Sequence, residues 1–192
     1  MSFGTLKTYF DEARTIAARI DLTVVDAMVE RLARLKRVEH HPARLFVCGT
    51  GGSAANASHA VNDFRKICGI EAYAPTDNVA ELTARTNDDG WERVFVDWLK
   101  VSKASVTDVM LVLSVGGGRY GTSEGLIRAM EEAKVRKMDV LAIVADEGGY
   151  AGQHAALALK VPVLRPEHRT PHTEAFQMVV LHAIVNDERL RG

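Results

Sequence analysis

The chain has 192 residues, of which 47% are apolar and 26% charged, and its formal net charge is -1. That balance excludes a fibrous or low-complexity protein and describes a globular one, of a length that fits a single domain over 1–192. With so little net charge, no global attraction to nucleic acid or to an anionic membrane is expected, so an anionic ligand must be held locally.

The N-terminal stretch MSFGTLKTYFDEAR is amphipathic and charged, without the apolar core of a signal peptide. No apolar run reaches the roughly 18 residues that span a bilayer. Cys48 and Cys68 have no metal-finger spacing. The expectation is a soluble protein of the reducing cytoplasm, with no membrane or nucleic-acid partner.

In chain order, Leu6, Phe10, Ile16 and Ile20, then Val24, Val25, Met28, Leu32 and Leu35, fall at helical spacing, with Asp21 placed to cap a second helix. These two helices read as packing or oligomer surface, a helical extension over about 1–40. After His40-His41-Pro42 short apolar runs alternate with helical stretches. Strands are predicted at 43–49, 70–75, 108–115, 139–145 and 159–165. Helices are predicted over 54–67, 78–86, 91–103 and 122–137, with a helix or turn near 152–158 and a long helix over 173–190. Alternation of this kind implies a parallel sheet covered on both faces, with ligands beyond the carboxyl ends of the strands.

The residues after the strands carry the chemistry. CGTGGSAAN follows the first strand. Gly49-x-Gly51-x-x-Ala54 formally meets the dinucleotide fingerprint, with Glu71 near the acidic position. The polar face of the next helix (Asn56, His59, Asp63, Arg65) fits that reading poorly. Backbone amides at the helix N-terminus, with the Ser53 hydroxyl, would instead hold a phosphate or sugar oxygens; the plain alternative is a turn with Ser53 as N-cap. LSVGGGRYGTSEG follows the third strand, where Gly116, Gly117 and Gly118 would bring amides close to an anion and Ser114, Thr122 and Ser123 would add hydroxyls. Asn87-Asp88-Asp89-Gly90 reads as a turn and helix cap.

His59 and Asp63, four apart, lie roughly 40° apart on one helical face. Glu174 and His182, eight apart on the last helix, lie about 80° apart and two turns distant. Two imidazoles and two carboxylates from two helices suit a divalent ion, Zn²⁺ foremost. They suit a general acid and base equally well. His154, His168 and His172 read as partly buried polar groups.

CGTGGSAANASHAVND, RTNDDGW, LSVGGG, VADEGGY and TPHTEAFQMVVLH together resemble the SIS (sugar isomerase) family and, within it, the phosphoheptose isomerases. The resemblance spans about residues 40 to 185. It implies a three-layer αβα sandwich around a five-stranded parallel sheet of flavodoxin-like type, preceded by helices. It further implies a homotetramer with sites between subunits, a Zn²⁺ or other divalent ion, and no nucleotide cofactor. The implied activity is aldose–ketose isomerisation of sedoheptulose 7-phosphate to D-glycero-D-manno-heptose 7-phosphate through an enediol or enediolate. By this likeness Thr50, Gly51, Gly52 and Ser53 form the first substrate loop, and Asn87 and Asp88 hold hydroxyls. The phosphate loop begins at Ser114, runs through Gly116 and Gly117, and resumes at Thr122 and Ser123. His59, Asp63, Glu174 and His182 take the metal positions, with Asp63 and His182 in acid–base roles and Glu174 also facing substrate. The family commonly has Asn at position 50, Glu at 63, Gln at 174, and a hydroxyl-rich loop where this chain reads SVGGG. Two other functions fit less well: a non-catalytic SIS protein that binds a sugar phosphate or regulates a partner, and a nicotinamide-dependent oxidoreductase.

Overall fold

The computed structural model describes residues 3–37 and 43–191, so the break expected at His40–Pro42 lies outside the described residues. Helices α1 (Phe3–Arg19) and α2 (Leu22–Ala33) come first. Asp21 separates them, its carboxylate accepting from the amides of Thr23 at 3.0 Å and Val24 at 3.4 Å. Such a cap satisfies donors that the helix itself cannot.

Five parallel strands follow: β1 (Leu45–Gly49), β2 (Ala72–Tyr73), β3 (Val109–Ser114), β4 (Asp139–Ala145) and β5 (Leu157–Val161), in the order β2-β1-β3-β4-β5. This is a flavodoxin-like order, in which the chain switches sides between β1 and β3 and opens a crevice at their carboxyl ends. The crossovers are α3 (Gly52–Lys66), α4 (Val79–Asp88), α5 (Val94–Val101), α6 (Glu124–Val135) and α7 (Gly149–His154), and α8 (Arg169–Val185) closes the chain.

Alternate strand residues feed two cores, as the pleat requires. Leu45, Val47, Val109, Leu111, Leu113 and Ile143 pack with Met28, Leu32, Phe64, Phe176 and Leu181 from α2, α3 and α8. Phe46, Cys48, Met110, Val112 and Val144 pack on the other face with Phe95, Leu99, Leu126 and Met130 from α5 and α6. The result is three layers, helix–sheet–helix.

Several boundaries differ from the sequence reading. The strand expected over 159–165 spans 157–161, because Pro162 has no N–H for a ladder. The second strand is only two residues long and lies at the sheet edge. The stretch expected as one helix from Trp91 begins as a 3₁₀ turn, Trp91–Arg93, before α5. The last helix starts at Arg169, four residues early, after a 3₁₀ turn at Pro166–His168.

Away from the crevice, Asp108 is fully buried at the amino end of β3. Its carboxylate accepts from Arg44 (backbone N–H at 2.9 Å, Nη2 at 2.9 Å) and from the Ser105 amide at 2.8 Å. This hydrogen bonding to Asp108, opposed by burial, raises the Arg44 pKa.

Candidate active site

β1 runs into α3 through glycines that each have a steric reason. A Cβ on Gly49 would stand 2.5 Å from the backbone oxygen of Ser53, so the strand can turn this tightly only without a side chain. Gly51 is the N-cap, with φ 63, a left-handed conformation that favours glycine. Ser53 is therefore not the cap; it lies inside the first turn and is buried. The opening amides of α3 have no carbonyl of their own helix to bind and carry the positive end of its dipole. Thr50 and Gly51 border a hollow of about 320 Å³ with Ser58, Thr76, Leu82 and Trp91. The Thr76 hydroxyl is buried there without a hydrogen-bond partner. Cys48, one residue before the turn, is no nucleophile: burial pushes its thiol up to about 12.

Past β3 the chain does something the sequence did not suggest. The expected role of Gly117 was to offer its amide to an anion, but that N–H donates to Ser114 Oγ at 3.0 Å. The carbonyls of Gly117 and Gly118 accept from the amides of Ala151 at 2.7 Å and Tyr150 at 3.1 Å, in the first turn of α7 after β4. Gly117 and Gly149 have φ 68 and 53. A Cβ on Gly117 would overlap the Gly148 carbonyl, and one on Gly149 the Gly116 carbonyl. Glycines at both places let two loops lie backbone against backbone. Beyond this seam Thr122 is exposed and Ser123 half-buried as the N-cap residue of α6. Arg119 pairs with Glu147, which Arg169 Nη2 also approaches at 3.2 Å.

Asn87 and Asp88 are not in a loop. They form the last turn of α4, both exposed, with Asn87 Nδ2 donating to Asp88 Oδ1 at 2.7 Å; the turn is at Gly90, φ 92.

The α3–α8 contact brings three expected residues together. His59 Nε2 and His182 Nε2 lie 3.3 and 3.5 Å from the same Asp63 oxygen, and 3.3 Å from each other. Asp63 is buried while both rings are about half exposed. Asn62 Nδ2 donates to the other Asp63 oxygen at 3.0 Å, fixing the carboxylate. Glu174 does not join them. Its carboxylate lies against Gly52, at the amino end of α3, where a Cβ would overlap it. Eight residues of α8 separate it from His182, about 12 Å along the axis.

Asn56 and Gln177 were missed by the sequence reading as members of this contact. Asn56 Nδ2 donates to the Glu174 carbonyl at 2.8 Å and to Gln177 Oε1 at 2.9 Å, clamping α3 to α8 between the two carboxylates. Asn56 had registered only as an odd polar residue on α3, and nothing local linked it to a position 121 residues away.

The trio can be tested as a metal site from its own geometry. Ligands about 2.0–2.1 Å from a tetrahedral ion stand about 3.3–3.4 Å apart. The three donor atoms are already 3.3–3.5 Å from one another. Two imidazoles and a carboxylate fit a divalent ion such as Zn²⁺. The set as expected, with Glu174 as a fourth ligand, is not assembled.

The SIS domain family model matches residues 8–145. A phosphoheptose isomerase of Roseiflexus sp. (strain RS-1) is 31% identical over 176 residues, 89% of this chain and 82% of the relative. One from Chlorobaculum tepidum is 31% identical over 161 residues, 80% of this chain and 73% of its own. The structure of phosphoheptose isomerase GmhA from Neisseria gonorrhoeae matches with a TM-score of 0.81 at 25% identity, over 95% of this chain and 97% of that one. A family model that matches well over half of the chain, and relatives of this identity over most of their length, leave one conclusion: the chain belongs to the SIS domain family, among the phosphoheptose isomerases.

Proposed function

We infer that the protein is a phosphosugar aldose–ketose isomerase that interconverts sedoheptulose 7-phosphate and D-glycero-D-manno-heptose 7-phosphate. The observation that carries the reading is the convergence of His59, Asp63 and His182 where α3 meets α8, about two turns along α3 from the glycine turn that opens it. From Gly52 to His59 is seven residues, roughly 10 Å along the helix. That distance is of the order of an extended sugar, with its phosphate held by the Ser53 and Ser114–Ser123 loops and its first two carbons at the imidazoles.

Isomerisation moves a proton between neighbouring carbons while the oxygens exchange theirs, so it needs a base, an acid and relief of negative charge on oxygen. The exposed His182 ring is the group that can reach substrate and move the proton at Nε2. Asp63, buried and held by Asn62, orients that ring and balances its charge. Thr76, Thr50 and Ser58 supply hydroxyls to the hollow for sugar oxygens. Ser114, Thr122 and Ser123, with Gly116 and Gly117, form the second rim. Asn87 and Asp88 reach substrate hydroxyls from α4, and Glu174 meets the sugar near the glycine turn. A divalent ion held by His59, Asp63 and His182 would supply Lewis-acid polarisation of the carbonyl, as an alternative to proton transfer at His182 Nε2, whose single lone pair cannot serve both.

The test is His182→Ala assayed on sedoheptulose 7-phosphate with metal content measured in parallel. The expected loss in kcat is about 10²–10⁴. A loss under about tenfold, roughly 1.4 kcal/mol of barrier, removes His182 from the mechanism.

One observation favours a second reading, a non-catalytic sugar-phosphate sensor: the loop past β3 turns its carbonyls and the Gly117 amide inward. That reading expects calorimetric binding of the sugar phosphate without turnover at high protein concentration.

We further read residues 1–192 as one SIS domain that works in the cytoplasm as a homotetramer with sites shared between subunits. No described helix is long and apolar enough to cross a membrane. Leu6, Phe10 and Leu22 leave large apolar side chains exposed on α1 and α2, a surface of the kind that symmetric assembly covers.

A further inference from the structure

Helix α1 carries one acidic residue that its surface role does not explain. Glu12 is 6% exposed, on the side of α1 that faces α8. One of its oxygens, Oε2, lies 2.7 Å from His168 Nδ1 and 3.0 Å from His172 Nε2. The two histidines are four apart, His168 closing the 3₁₀ turn and His172 in the first turns of α8. Tyr9 stacks on the His172 ring at 4.1 Å and meets the His168 ring edge-on at 5.3 Å, so both imidazoles are held in orientation by one aromatic wall. The second carboxylate oxygen, Oε1, is buried and takes no well-aligned hydrogen bond; Arg165 Nε approaches it at 2.8 Å from a half-exposed side chain.

We propose that Glu12, His168 and His172 form a second divalent-cation site, of a donor set that suits Zn²⁺, that ties α1 to the start of α8. The donor set is two imidazole nitrogens and one carboxylate, a combination that binds zinc, with a fourth position left for water. All three donor atoms lie within 4.8 Å of one another, as do those of the His59–Asp63–His182 trio among the described residues. In the tautomer with its hydrogen on the other nitrogen, each imidazole points a lone pair toward Glu12 and can act as a ligand. The ion then widens spacings of 2.7–3.0 Å toward the roughly 3.3 Å between ligands of tetrahedral zinc. Arg165, half in solvent, turns outward as the ion replaces its charge. His168 is partly exposed, which gives the ion a way in.

The site is independent of the isomerase reading, and its test uses no activity. The probe is Zn²⁺, with Co²⁺ as a spectroscopic substitute, added to full-length His59→Ala/His182→Ala protein, which lacks the first trio. The expected result is one zinc per chain by competition with a chromophoric chelator, visible Co²⁺ ligand-field bands, and a zinc-dependent rise in the thermal midpoint. Adding His168→Ala, the less buried partner, should abolish the bands and the rise. Adding Arg165→Ala should tighten zinc binding, whereas a plain ion-pair hub would only lose stability. If the folded double variant takes up no zinc at micromolar concentration, or if Arg165→Ala leaves zinc uptake unchanged or weaker, the proposal is wrong.

Discussion

Asp63 and His182 meet across α3 and α8 with 3.5 Å between Oδ2 and Nε2, and the same oxygen is 3.3 Å from His59. One buried carboxylate thus serves two half-exposed imidazoles. Asp63→Asn keeps the shape and removes the charge that both rings face. The expected outcome is a fall in kcat of at least about 10², with KM for sedoheptulose 7-phosphate changed far less. A rise in KM with kcat unchanged would place Asp63 in binding alone.

The loop seam gives a different signature. Gly117→Ala forces a side chain into a left-handed backbone and against the Gly148 carbonyl. A loss of about 1–3 kcal/mol from the backbone conformation alone is expected in urea unfolding. KM should rise as Thr122 and Ser123 shift with the loop. A variant as stable as the parent would show that the two loops are not joined as described.

Asp108 makes a stability prediction remote from the crevice. Removing one partner from a buried, hydrogen-bonded ion pair leaves the other charge uncompensated. Asp108→Ala should cost about 3–5 kcal/mol of unfolding free energy, since Arg44 and the Ser105 amide both lose their acceptor. A cost below about 1 kcal/mol would mean that Arg44 finds solvent instead.

Near the C-terminus the Arg189 guanidinium and amide hold the Asp187 carboxyl down to about 2, from an ordinary 3.8. Arg189 also reaches Asp26 and Glu30 on α2. A carboxylate whose folded pKa is depressed stabilises the fold above its unfolded pKa and loses that contribution as pH falls through the folded one. The thermal midpoint of the parent should therefore exceed that of Asp187→Asn at pH 5 and above, with the gap closing between about pH 4 and pH 2. A gap that persists unchanged to pH 2 would assign it to packing.

The sheet was readable because β1, β3 and β4 are buried on both faces and carry unbroken apolar residues, while Asp21 marked a helix start with a side chain suited to capping. Pairing of His59 with Asp63 was readable from helical spacing, and their meeting with His182 followed from the family likeness. Three things were not readable. Glu174 shares a helix with His182, but period alone does not say that its carboxylate will settle on Gly52. Gly116–Gly118 looked like an anion cradle because glycine permits close approach, yet the partner it permits here is another stretch of backbone. Glu12 sat in an amphipathic helix like any solvated carboxylate, and its partners are 156 and 160 positions away.

The glycine-to-glycine seam has an evolutionary consequence. Because backbone carbonyls occupy the places where Gly117 and Gly149 would carry side chains, neither position can take a bulkier residue unless the facing bend shifts as a whole. Selectivity at that rim then changes only when one bend moves as backbone away from the other, and a serine-rich segment placed at positions 115–118 alone should cost stability rather than give a new specificity.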